Sequence, residues 1–180
     1  DRFGAYVRNA EGTDEPEKLI APPRTGSVVP LAWSPDGKYI LYFEQSGSNA
    51  RLMAVPLFGA RQPFIVADQC AGQAAISPNG KWVAYDAPLA GNLQVMVTSF
   101  PGRRGRWQVS TKGAVSAGWS QNGKEVLYVG RDSTLYSSRV EEHAGAFRVS
   151  NEAALFRFNP AGTTQTFRIA PKGERILLNT

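Results

Sequence analysis

Apolar and polar positions along this chain fall into two kinds of short run. The first kind is apolar almost without interruption: residues 39–43, 82–85, 126–129 and 176–178. Runs this short, rich in aromatic and β-branched residues, predict strands, and the missing alternation predicts that both faces are covered. The second kind is more mixed. It predicts two further strands after each of the first three apolar runs: 51–57 and 63–67, 93–100 and 107–110, 134–140 and 153–158. Residues 4–8 and 17–20 predict one more pair ahead of the first apolar run, and 142–149 reads as a longer loop. No stretch carries the spacing of an amphipathic helix.

A single block precedes each uninterrupted run. It reads Trp33-Ser34-Pro35-Asp36-Gly37-Lys38, then Ile76-Ser77-Pro78-Asn79-Gly80-Lys81, then Trp119-Ser120-Gln121-Asn122-Gly123-Lys124, then Ile169-Ala170-Pro171-Lys172-Gly173-Glu174. Its glycines fall at 37, 80, 123 and 173, spaced 43, 43 and 50 residues apart. Pro presets the first corner of a turn, Asp or Asn bonds its own backbone, and Gly supplies positive φ. Between apolar strands this is a hairpin signal. Pro35, Asp36, Gly37, Pro78, Asn79, Gly80, Asn122, Gly123, Pro171 and Gly173 are therefore assigned to the turns. Four strands per period of about 43 residues predict the blades of a β-propeller.

The phase of the repeat is offset. Residues 1–22 supply the outer strands of a split blade, 28–68, 73–111 and 115–158 three blades, the last with a loop insertion, and 164–180 the inner strands of another split blade. The fold class expected is thus all-β, a partial propeller of four blade-equivalents with offset ends. The ends match well enough to close a four-bladed ring, but consecutive blades of a larger ring, cut from a longer chain, are favoured. Bare edge strands also invite self-association, and two copies would make an eight-bladed ring. An open β-sandwich is the competing fold, and the identical turn in every period argues against it.

Composition changes this picture little. The chain has 180 residues, 42% hydrophobic and 19% charged, which suits a folded globular domain. No apolar run approaches the roughly 20 residues of a membrane-spanning helix. Lone Cys70 excludes an internal disulfide and a cysteine-based metal cluster, and reads as a small strand-edge or loop residue. The net charge is +5, and its one tight cluster is Arg103, Arg104 and Arg106, at a Gly- and Pro-bounded hairpin tip. These arginines are a candidate surface contact. No aromatic-basic alternation accompanies them, so no nucleic-acid partner is expected.

The blocks resemble the TolB-like, PD40 class of WD40-like propeller repeats, with residues 33–38 matching the consensus itself. A narrower resemblance rests on residues 80–85, 95–101, 105–111 and 119–128, together with the ending 169–180. These stretches look like the C-terminal propeller of bacterial serine/threonine kinases of the acidobacterial type. That resemblance implies a kinase domain upstream, commonly followed by a membrane span, and an extracytoplasmic sensing or docking role. The periplasmic TolB protein is the alternative setting.

Catalytic motifs are missing from the sequence. There is no Gly-rich nucleotide loop, His-Arg-Asp loop, Asp-Phe-Gly or Gly-x-Ser-x-Gly elbow. His143 is the only histidine and falls in the expected loop; one imidazole makes neither a triad nor a histidine metal site. The acidic stretch 11–17 lacks calcium-ligand spacing and reads as a solvated hairpin loop. Trp33 and Trp119 share a repeat position with Ile76 and Ile169, so core packing is expected there. Tyr39 and Trp82 share another, expected to fill the space between blades. The function expected is a non-catalytic module with no cofactor, binding a protein, a peptide or a small ligand at the channel face. A propeller hydrolase or lyase is the runner-up, and a self-assembling half-propeller the third reading.

Overall fold

The computed structural model describes residues 4–143, 146–159, 167–170 and 175–178. These residues form sixteen strands in five antiparallel sheets. A two-stranded sheet of β1 (Ala5–Val7) and β2 (Glu17–Ile20) comes first. The first four-stranded sheet follows, made of β3 (Gly26–Trp33), β4 (Tyr39–Ser46), β5 (Asn49–Pro56) and β6 (Phe64–Ala67). The second holds β7 (Ala74–Ile76), β8 (Trp82–Leu89), β9 (Asn92–Ser99) and β10 (Arg106–Gln108). The third holds β11 (Ala114–Trp119), β12 (Glu125–Gly130), β13 (Thr134–His143) and β14 (Ala146–Arg157). The pair β15 (Phe167–Ile169) and β16 (Ile176–Leu178) comes last.

Strands pair in chain order within every sheet, and the first strands β3, β7, β11 and β15 touch one another in succession. This is a partial β-propeller, with each sheet a blade and the first strands facing the channel. No helix among the described residues is long and apolar enough to cross a membrane.

The uninterrupted apolar runs are explained by the layers between sheets. On β4, Ile40 and Tyr42 enter the layer shared with β1 and β2, alongside Ala5, Ile20, Met53 and Val55. Leu41, one position out of phase, enters the next layer with Leu52, Ala54, Val83, Tyr85 and Phe100. On β8, Val83 and Tyr85 face back into that layer, while Trp82 and Ala84 face forward against Val126, Tyr128 and Phe147. On β12, Leu127 and Val129 face forward again, meeting Leu135 and Phe167. Because side chains alternate across a strand, a strand between two layers must be apolar at every position.

The expected blade-to-blade filling is seen at Tyr39 and Trp82. Tyr39 meets Phe100, just past the end of β9 in the following blade, edge-on at 5.3 Å, and Trp82 meets Phe147 of the following sheet at 4.8 Å. Each aromatic contact adds to the burial itself about 0.5–1.5 kcal/mol.

Two expectations are corrected. Of residues 142–149, read as a loop, the described ones (142–143 and 146–149) are paired strand: β13 and β14 form a ribbon whose ladder runs to His143 opposite Ala146. Their polar pattern hid a strand that is fixed by its partner and by Phe147, which packs on Trp82, Trp107 and Trp119. The backbone of His143 is therefore in a strand and not in a loop. The second correction concerns Trp33, which is 56% exposed where its repeat equivalent Trp119 is 7% exposed. Trp119 lies against the channel strand of the preceding sheet and donates its indole N–H to the Ala75 carbonyl at 3.0 Å. The sheet preceding Trp33 has only β1 and β2, so that cover is lacking among the described residues.

Candidate functional site: the channel-facing wall

Two of the channel strands, β3 and β11, are irregular in their ladders. The β3–β4 ladder slips between Pro30 and Ala32, and the β11–β12 ladder between Val115 and Gly118. Pro30 is tolerated there because this strand edge faces the channel and its missing N–H breaks no inner ladder. Gly118 is required for another reason. A Cβ there would sit 3.0 Å from the Phe167 ring, so its absence lets β15 approach β11.

Together these strands line a groove of about 540 Å³. Trp33, Gln73, Gln121 and Arg168 supply its functional groups, and Leu31 and Ile76 part of its apolar floor. No carboxylate, imidazole or thiol lines it among the described residues. Nor does any group of three His, Cys, Asp or Glu residues among them converge to hold a metal ion. An indole, two carboxamides and a guanidinium can stack, donate and accept hydrogen bonds, and pair with an anion. The set lacks a proton-transfer group poised near neutrality.

Gln73 is held by a buried carboxylate behind the wall. Asp86 on β8 is 2% exposed and accepts the Gln73 main-chain N–H at 2.9 Å. Burial pushes the Asp86 carboxyl up to about 6. Cys70 lies in the same connection, buried, and burial pushes its thiol up to about 12. A thiol so disposed is a packing group rather than a nucleophile.

The turn residues form an arc on one face. Gly37, Gly80 and Gly123 have φ of 70°, 71° and 68°, and each donates its N–H to the block's serine carbonyl at 2.8, 2.8 and 2.9 Å. Asp36, Asn79 and Asn122 each accept the amide two residues on, at 3.1, 3.0 and 2.9 Å. The Ser34 hydroxyl, and after it the Lys38 amide, hold the Asp36 carboxyl below its ordinary range. Pro35 and Pro78 reach the next turn: their Cδ atoms lie 3.8 and 3.5 Å from where a Cβ on Gly80 or Gly123 would be. Pro171 and Gly173 lie outside the described residues. Sequence reasoning gave the block's serine no specific role, although it stands at 34, 77 and 120 in register with the turn.

Of the three arginines at the β9–β10 turn, the structure brings two to a common groove. Arg103 and Arg106 share it with Arg51 of β5, while Arg104 does not line it. Arg51 was out of reach of a sequence reading because it is brought in from another sheet.

No protein-family model matches this chain, and no curated protein matches it. Solved structures do. TolB from Acinetobacter baumannii superposes with a TM-score of 0.67 at 17% identity, covering 96% of this chain and 42% of that one. A candidate TolB from Agrobacterium tumefaciens gives 0.61 at 15%, covering 84% and 57%. A candidate 6-phosphogluconolactonase from Bacteroides uniformis gives 0.60 at 18%, covering 97% and 56%. The chain spans about half the length of these proteins. At these identities the likeness is one of fold, and the fold it shows is a TolB-like β-propeller.

Proposed function

We propose that this chain is a non-catalytic propeller module that binds a protein or peptide at the channel-facing wall. The observation that carries this reading is the chemistry of that wall: stacking, amide and guanidinium groups with no acid, imidazole or thiol among its described residues. The test is a peptide selection against the 180-residue chain, run beside an assay for sugar-lactone hydrolysis, since a lactonase-named protein shares the fold. Selected peptides are expected to bind about tenfold more weakly to the Gln73→Ala, Gln121→Ala double variant. Lactone turnover that falls in the same variant would overturn the reading.

A second reading has its own observation. The exposed Trp33 indole, whose equivalent bonds a channel strand of the preceding sheet, favours completion of the β1–β2 blade by the β15–β16 hairpin of another copy. Sedimentation of the chain tests this, and a stable monomer at high concentration would sink it. The wider setting we infer is the C-terminal part of a bacterial receptor serine/threonine kinase, outside the cytoplasm, with a TolB-like periplasmic protein as the alternative. The block sequences support it, and the sequence upstream of Asp1 would decide between them.

A further inference from the structure

Three tyrosines, Tyr42, Tyr85 and Tyr128, stand at one repeat position within the uninterrupted apolar runs of their sheets, and all are buried. Their hydroxyl ends meet different charges. In the third four-stranded sheet, the Tyr128 hydroxyl donates to Glu152 Oε2 at 2.6 Å and lies 3.1 Å from Ser138 Oγ. Lys112 Nζ stands 3.8 Å from the other oxygen of Glu152. That niche neutralises itself.

The ladder puts Arg106 opposite Thr98 in the second sheet, just as it puts Glu152 opposite Ser138 in the third. At the Tyr85 niche the reader is therefore a cation, close enough to the phenol to oppose the effect of burial on it. A groove of about 600 Å³ opens there, and Arg51 and Arg103 line it with Arg106. Asp68 is its one acidic lining residue among the described residues, and it pairs with Arg103 at 2.7 Å. Glu44 lies across the ladder from Arg51 and does not line the groove. Neither Arg51 nor Arg106 has an ion pair among the described residues. Two guanidinium groups are thus left without a carboxylate among the described residues, where the equivalent niche in the next sheet is closed.

We propose that this groove between the first and second four-stranded sheets binds an acidic peptide segment of a protein partner. Its arginines come from β5, the β9–β10 turn and β10, which suits carboxylates spaced along a chain better than one compact anion. Val66 and Ala67 of β6 also line it, and β6 is the last strand of its sheet, with one ladder edge unpaired. An extended segment finds main-chain partners on such an edge, while the arginines read its side chains. The groove is separate from the channel wall, so this site stands or falls independently of the reading above.

The experiment is fluorescence anisotropy of the 180-residue chain with a labelled Glu-rich peptide, its Gln-substituted counterpart, and inorganic phosphate as competitor. The acidic peptide is expected to bind more tightly than the neutral one and to weaken as salt rises. It is expected to lose about tenfold affinity for each of Arg51→Gln and Arg106→Gln, and little for Arg104→Gln or for Gln73→Ala on the channel wall. Equal binding of the two peptides, equal loss in the Arg104 variant, or millimolar phosphate displacing the peptide completely would overturn it. The last outcome would make the groove a simple anion site.

Discussion

The Ser77 hydroxyl lies between two partners, donating to Asn79 Oδ1 at 2.7 Å and accepting the Trp82 amide at 3.0 Å. Ser34 makes the same pair of bonds to Asp36 and Tyr39 at 2.6 and 2.9 Å, and Ser120 to Asn122 and Glu125 at 2.8 and 2.9 Å. The hydroxyl thus ties the end of the channel strand to the start of the next across the turn. Ser77→Ala leaves the amide of a buried tryptophan unpaired, which costs about 1–3 kcal/mol. Urea denaturation should show a lower midpoint with an unchanged slope. Ser120→Ala, at an exposed site, should cost less.

Asp86 makes stability depend on pH in a defined direction. Its carboxyl is raised from 3.8 to about 6 in the folded protein, so the native state holds its proton more tightly than the unfolded chain. Its contribution is fully present below pH of about 4 and is lost as pH rises through about 6. Asp86→Asn keeps an acceptor for the Gln73 main-chain N–H and removes the charge. The difference in unfolding free energy between variant and wild type should grow in the variant's favour by up to about 3 kcal/mol across that window. Denaturant titrations at pH 4, 5, 6 and 7 (about one unit apart) measure it.

The two equivalent tryptophans should respond differently to the same change. Trp119→Phe loses a buried indole and its bond to Ala75, a cost of about 1–3 kcal/mol. Trp33→Phe, at an exposed position, should stay within about 0.5 kcal/mol in the monomer. Thermal unfolding of both variants checks the contrast.

Cys70 should be silent to thiol reagents in the folded protein. Its burial and raised pKa leave almost no thiolate at neutral pH. Reaction with a colorimetric disulfide reagent should appear only as denaturant unfolds the chain, tracking the fraction unfolded.

The blades were legible in the sequence because turn chemistry and apolar runs are local. Pro35-Asp36-Gly37 announces its hairpin in three residues, and Tyr39 to Phe43 announces a strand covered on both sides. What needed the structure was set by neighbours distant in sequence. Nothing around Trp33 distinguishes it from Trp119, because the difference lies in the preceding sheet. The far end of the β13–β14 ribbon, within 142–149, was missed because pairing and the aromatic setting of Phe147, not its own pattern, make it strand. Arg51 stands 52 residues from Arg103 in the sequence and shares a groove with it in the fold.

Each apolar layer takes side chains from two sheets, and this constrains how such a chain can evolve. A duplication of one full period adds a face that donates to the next layer and a face that receives from the last, so every layer stays matched. A duplication of half a sheet strands an oily face on each side. Lengthening by whole periods is therefore the route open to mutation, and the equal 43-residue intervals between the first three glycines are its trace.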